Sequence, residues 1–116
     1  MSRLLRLCYI TDRHALEPKP LLPKIQQAIR AGIDLVQIRE KDLPTRDVAQ
    51  LLSAALGAAR GREAATRIVV NDRLDVALAL AADGVHLGTQ SLPANVARRI
   101  VPENFLVGVS CHSLEE

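Results

Sequence analysis

Gln37-Ile38-Arg39-Glu40-Lys41 sets two fixed cations two residues apart at the end of an apolar run, Ile33, Leu35 and Val36. Side chains alternate across a strand, so Gln37, Arg39 and Lys41 share one face and Ile38 and Glu40 the other. Like charges held on an inward face repel and lose hydration, at a cost on the order of several kcal/mol unless an anion compensates. A diphosphate, multiply charged and rich in acceptor oxygens, meets that need. The same residues at an open strand end are simply solvated, so the surrounding elements decide between the two.

Other residues with chemical capability recur at the ends of strand-like segments: Tyr9-Ile10-Thr11-Asp12, Asn71-Asp72, His86 with Gly88, and Ser110-Cys111-His112. Singly they are plain, since Asp72 serves equally as a helix cap or turn residue and His86 as a satisfied core histidine. In a parallel α/β fold, however, such ends converge on one face. There they form a pocket with cations, an acid and neutral hydrogen-bonding groups. Asp72 offers hard carboxylate oxygen suited to Mg²⁺, and the metal would bridge to the same phosphate oxygens that Arg39 and Lys41 hold.

The elements that must position these residues follow from periodicity. Leu7 to Thr11 alternates as a strand, and Leu21, Leu22, Ile25, Ala28 and Ile29 form a helical stripe led in by Pro18 and Pro20 and stopped by Gly32. Ile33 to Arg39 is the second strand. After Pro44 and Thr45, Val48, Leu51, Leu52, Ala55 and Leu56 make a helix ending near Gly57 and Gly61. Arg67 to Asn71 is a strand, Leu74 and Leu78 mark a short helix ended by Asp83-Gly84, and Val85 to Gly88 is a short strand. Pro93, Val96 and Ile100 supply the next crossover, Phe105 to Ser110 the fifth strand, and Ser113-Leu114-Glu115-Glu116 matches a capping box opening another helix.

Such alternation implies parallel strands with right-handed crossovers. About five βα units make an incomplete version of the α/β TIM barrel, (β/α)8, which takes about 200 to 250 residues. An open doubly wound sheet, complete at this length, is the alternative. Residues 1–116 are accordingly expected to be the N-terminal portion of a single TIM-barrel domain, truncated before its later strands. An open fifth strand presents a pairing edge, which makes a homo-oligomer possible.

A net charge of +2 with only 2% aromatic residues argues against nucleic acid, which calls for a basic face and stacking platforms. The longest apolar stretches, such as Val76 to Ala82, are too short to span a membrane, and the opening Met1 to Arg6 lacks a signal-peptide core, so a cytoplasmic location is expected. Cys8 and Cys111 sit in apolar strand-like segments and are expected to be packed, reduced thiols.

Five segments together carry a resemblance: Tyr9-Ile10-Thr11-Asp12, Val36-Gln37-Ile38-Arg39-Glu40-Lys41, Val69-Val70-Asn71-Asp72, Ala82-Asp83-Gly84-Val85-His86-Leu87-Gly88 and Val107-Gly108-Val109-Ser110-Cys111-His112. In order and spacing they resemble the successive strand motifs of thiamine phosphate synthase and its thiazole tautomerase relatives. The resemblance implies a transferase of thiamine biosynthesis that joins hydroxymethylpyrimidine diphosphate to a thiazole phosphate and releases diphosphate. It implies that Gln37, Arg39 and Lys41 contact the pyrimidine diphosphate, with Arg39 and Lys41 as the catalytic cations on the leaving group. Asn71 and Ser110 would hold the pyrimidine substrate, and Asp72 would bind Mg²⁺. The implied chemistry is dissociation of diphosphate to a pyrimidine-methyl cation that the thiazole nitrogen captures, without a general base.

One departure concerns the metal. Where the synthase branch carries Gln-x-Asp, this sequence reads Gly88-Thr89-Gln90-Ser91. Ser91 thus occupies the second ligand slot with a hydroxyl, or acts as the N-cap of the helix after Pro93. The serine leans toward the tautomerase branch. The complete Gln-x-Arg-x-Lys with Asn71-Asp72 leans toward the synthase, because a tautomerase has no diphosphate to hold. The resemblance places the thiazole-phosphate loop and a catalytic lysine after Glu116, so this chain by itself is expected to be inactive. A non-catalytic half-barrel that binds or assembles is the third possibility.

Overall fold

The computed structural model describes residues 7–61 and 63–110. Five parallel strands, β1 (Cys8–Ile10), β2 (Leu35–Ile38), β3 (Arg67–Asn71), β4 (Gly84–Leu87) and β5 (Leu106–Val109), lie side by side in chain order. A doubly wound sheet reverses its strand order at a switch point; this sheet does not, so the alternative is excluded and the barrel-type winding holds. Right-handed crossovers between strands in strict succession place every helix on one side of the sheet.

Those helices are α1 (Arg13–Leu16), α2 (Leu21–Arg30), α3 (Thr45–Gly61), α4 (Leu74–Ala79) and α5 (Ala94–Ala97). Leu21, Ile25 and Ile29 recur every fourth residue and bury one stripe of α2. The chain leaves α2 through Gly32, whose φ of +86° is in the left-handed region that favours glycine. In α3 the stripe is Val48, Leu52, Ala55, Leu56 and Ala59, and the helix runs through Gly57 to Gly61. Both stripes pack on the sheet residues Val36, Ile38, Ile68, Val70, Val85 and Leu87 to form one core.

The alternate residues face the other way. Ile10 pairs with Gln37, Gln37 with Val69, Asn71 with His86, and His86 with Gly108, so the register draws continuous rows across the helix-free face. Ile10 is half-exposed there, and Cys8, expected to be packed, is an exposed free thiol. Its alternation was legible, but the side of β1 it falls on carries no covering layer.

Three further expectations shift. The second strand ends at Ile38 rather than Arg39. Asp12, expected among the polar strand ends, caps α1 by accepting from the Ala15 N–H. Helix α5 is a single turn and leaves Ile100 exposed. Among the described residues, no helix is long and apolar enough to cross a membrane. Residues Met1–Arg6, the thiol of Cys111, His112 and the Ser113–Glu116 capping box lie outside the described residues.

Candidate functional site

The carboxyl ends of β2 to β5 open onto a cavity of about 340 Å³. Arg39, Lys41, Asn71, Asp72, Ser91 and Ser110 all line it, so six of the expected site residues meet in one place. Gln37 does not. It lies below the rim on the helix-free face, 5% exposed, between Ile10 and Val69 in the register.

The separation of Gln37 from the cations has a local cause. Because β2 stops at Ile38, Arg39 and Lys41 belong to a turn rather than to one face of a strand. Arg39 directs its N–H to the Thr11 hydroxyl (3.0 Å) instead of to a sheet carbonyl. Both cations are exposed at the cavity, and neither side chain has a carboxylate partner among the described residues.

Glu40, between them, is buried at 6% exposure. Its carboxylate accepts from the Thr11 hydroxyl (2.6 Å), from the Arg13 N–H (3.2 and 3.3 Å) and from Arg13 Nη1 (3.1 Å). Arg13 also forks onto Asp42, with Nη1 and Nη2 at 2.6 and 2.8 Å from the two oxygens, and His14 bridges Asp42 and Glu17. Arg13 and His14 hold the Asp42 carboxyl well below the usual range, while Asp42 and then Glu17 raise the His14 imidazole. This network was not anticipated. The only signal for it was that Glu40 falls on the apolar face with Ile38, where an unpaired carboxylate could not stay.

Asp72 follows β3 in the left-handed region, φ +66°, which aspartate tolerates better than most residues. Its N–H donates to the His86 carbonyl (2.8 Å), and two tight turns follow, from Arg73 N–H to Asn71 and from Leu74 N–H to Asp72. The result is an exposed carboxylate at the cavity wall. Arg73 lines the same wall but is forked onto Asp75 (3.2 and 2.8 Å) and donates to Thr45 Oγ1 (2.8 Å), so Asp75 largely cancels its charge.

Ser91 accepts from the Gly88 N–H (2.9 Å), and its own N–H returns to the Gly88 carbonyl. The hydroxyl closes a turn. It is not the helix cap, because Pro93 holds that position in front of α5. Having accepted one hydrogen bond, the hydroxyl of this cavity-lining residue keeps a second lone pair.

On β4, His86 Nε2 lies 2.7 Å from Ser110 Oγ. Burial, and then the nearby Arg39 charge, push the His86 pKa below its ordinary value, so the imidazole is neutral at pH 7. A Cβ on Gly108 would come within 2.7 Å of its Nδ1, and glycine at that position is what admits the ring.

No group of three or more His, Cys, Asp or Glu side chains assembles among the described residues. That donor set does not make a closed cage for a transition metal. It does suit Mg²⁺, which is held by one or two protein oxygens and completes its shell with water and substrate phosphates. Asp72 and Ser91 are oxygen donors of the right hardness and line the same cavity as Arg39 and Lys41.

A family model described as thiamine monophosphate synthase matches residues 7–116. The thiamine-phosphate synthase of a Roseiflexus species is 43% identical over 107 residues, 92% of this chain and 44% of the relative. That of Methanoculleus marisnigri is 51% identical over 88 residues, 75% of this chain and 40% of the relative. A solved structure of thiamine phosphate pyrophosphorylase from Pyrococcus furiosus superposes with a TM-score of 0.81 at 39% identity, covering 97% of this chain and 52% of that one. The chain spans about half the length of the curated relatives it matches.

Proposed function

The chain belongs to the thiamine monophosphate synthase family, and on that premise we propose that its cavity is the pyrimidine-diphosphate half of a thiamine phosphate synthase active site. The five strands and the helices between them are then the N-terminal part of a TIM barrel, and the substrates are hydroxymethylpyrimidine diphosphate and thiazole phosphate. The observation that carries the proposal is that Arg39 and Lys41, with no carboxylate partner among the described residues, line one cavity with the Asp72 carboxylate.

In the reaction, the bond between the pyrimidine methylene carbon and the diphosphate oxygen breaks, and the electron pair leaves with diphosphate. The thiazole nitrogen lone pair then forms the new C–N bond. Negative charge grows on the departing oxygen, where preorganised cations stabilise it most. Arg39 offers a fork and Lys41 a point charge to those oxygens. Asp72, with the free lone pair of Ser91, would hold Mg²⁺, which neutralises phosphate charge when bound. Asn71 and the Ser110 hydroxyl, oriented by neutral His86, supply uncharged hydrogen bonds for the pyrimidine. A neutral imidazole avoids placing a third positive charge beside the developing carbocation.

The test is product formation by the full-length protein from the two substrates with Mg²⁺. Thiamine phosphate with stoichiometric diphosphate is the expected result. Isomerisation of a thiazole carboxylate phosphate without C–N bond formation would instead identify a tautomerase. A separate prediction concerns the weaker metal slot. Ser91→Asp adds a carboxylate and should tighten Mg²⁺ about tenfold in a calorimetric titration with diphosphate present. Unchanged affinity would leave Ser91 with its turn-closing bond alone.

A further inference from the structure

The turn that carries Arg39 and Lys41 is anchored by a buried carboxylate between them, Glu40. We propose that Thr11 and Glu40 form a positioning device that presents Arg39 and Lys41 to diphosphate in a single, preorganised conformation. The proposal rests on the assignment of Arg39 and Lys41 to the diphosphate and adds two residues that do not themselves touch it.

Thr11, 2% exposed, uses its hydroxyl in both directions: it donates to Glu40 Oε2 (2.6 Å) and accepts from the Arg39 N–H (3.0 Å). The backbone is pinned on either side of that hydroxyl, because Thr11 N–H donates to the Gln37 carbonyl (2.9 Å) and Leu43 N–H to the Glu40 carbonyl (3.1 Å). Glu40 also receives the Arg13 N–H and Arg13 Nη1, so the turn is tied to β1 and α1 at once. The Glu40 side chain, at 2% exposure, lies between two exposed cations in sequence. Its charge is matched by Arg13 rather than by either neighbour, so that among the described residues no carboxylate neutralises Arg39 or Lys41 ahead of an anion. A turn held only by its own backbone would have to be ordered when the ligand arrives, and that ordering reduces affinity.

The measurement is binding of inorganic diphosphate, with Mg²⁺, to the full-length protein by calorimetry. The variants are Thr11→Val, which removes the hydroxyl but keeps the shape, Thr11→Ser, which restores it, and Arg39→Ala as reference. Loss of about tenfold in affinity for Thr11→Val, with Thr11→Ser within about twofold of the parent, is the expected result. Weakening by Arg39→Ala but not by Thr11→Val overturns the positioning role and leaves the site assignment standing. Indifference to Arg39→Ala overturns the assignment beneath it. Amide hydrogen exchange on the unsubstituted, ligand-free protein gives a second measurement that does not depend on variants folding. The Arg39 and Arg13 amides should be protected before diphosphate is added, and free exchange at both would sink the proposal.

Discussion

Arg39→Ala and Lys41→Ala should each weaken binding of Mg²⁺ diphosphate by about 10- to 100-fold, the largest functional effect expected of any single change at the cavity. The magnitude follows from the number of bonds lost. A hydrogen bond to a charged group contributes about 1.5 to 3 kcal/mol, and each 1.4 kcal/mol is about tenfold in affinity. Neither cation is compensated by a carboxylate among the described residues, so little of that interaction is already satisfied without ligand. Arg73 supplies the internal comparison. It lines the same cavity but is forked onto Asp75, and Arg73→Ala should cost much less. Equal losses at all three positions would mean that the effect is general electrostatics rather than direct contact. Calorimetry at two salt concentrations separates these, because long-range attraction is screened and a direct ion contact less so.

The parts of this site that were legible in the sequence are those that follow from alternation. Asn71, Asp72, Ser110 and the two cations sit at the ends of strands whose apolar rows were plain, and a parallel sheet brings such ends together whatever the details of its loops. Gln37 was placed with Arg39 and Lys41 by the same alternation, and there the rule failed because it holds only while the strand lasts. The strand stops at Ile38, since the Arg39 N–H finds the Thr11 hydroxyl in place of a carbonyl. Competition between a side-chain hydroxyl and a ladder carbonyl is a tertiary event, decided by a residue 28 positions away. The same limit applies to Ser91. Its position before Leu92-Pro93 looks like a cap, but Pro93 takes that place and the Ser91 hydroxyl closes the turn to Gly88. The burial of Glu40 had a signal in its shared face with Ile38, but its partners, Thr11 and Arg13, lie on a different element.

Gly84→Ala should be strongly destabilising, lowering stability by about 3 kcal/mol and the melting temperature by about 10 to 20 °C. Gly84 opens β4 and pairs with Leu106. A Cβ there would overlap the Leu106 carbonyl oxygen and meet the Leu106 Cβ at 2.5 Å and its carbonyl carbon at 2.9 Å. Two of those atoms are backbone, so no rotamer change relieves the contact and β5 itself must move away. That displacement strains the Leu106 N–H bond to the Asp83 carbonyl (2.9 Å) at the root of the pair and the Ser110 N–H bond to the Leu87 carbonyl (2.8 Å) at its far end. Ser110 then shifts relative to His86, and the neutral hydrogen-bonding side of the cavity is disturbed along with the fold. Gly57→Ala is the matched control. Gly57 lies inside α3 with open space where its Cβ would be, and alanine there should stabilise by about 0.5 to 1 kcal/mol through helix propensity. Denaturant titration of both variants checks the pair. If Gly84→Ala is tolerated as easily as Gly57→Ala, β4 and β5 do not approach as closely as the Leu106 contacts require, and the His86–Ser110 hydrogen bond that depends on their spacing would lose its support.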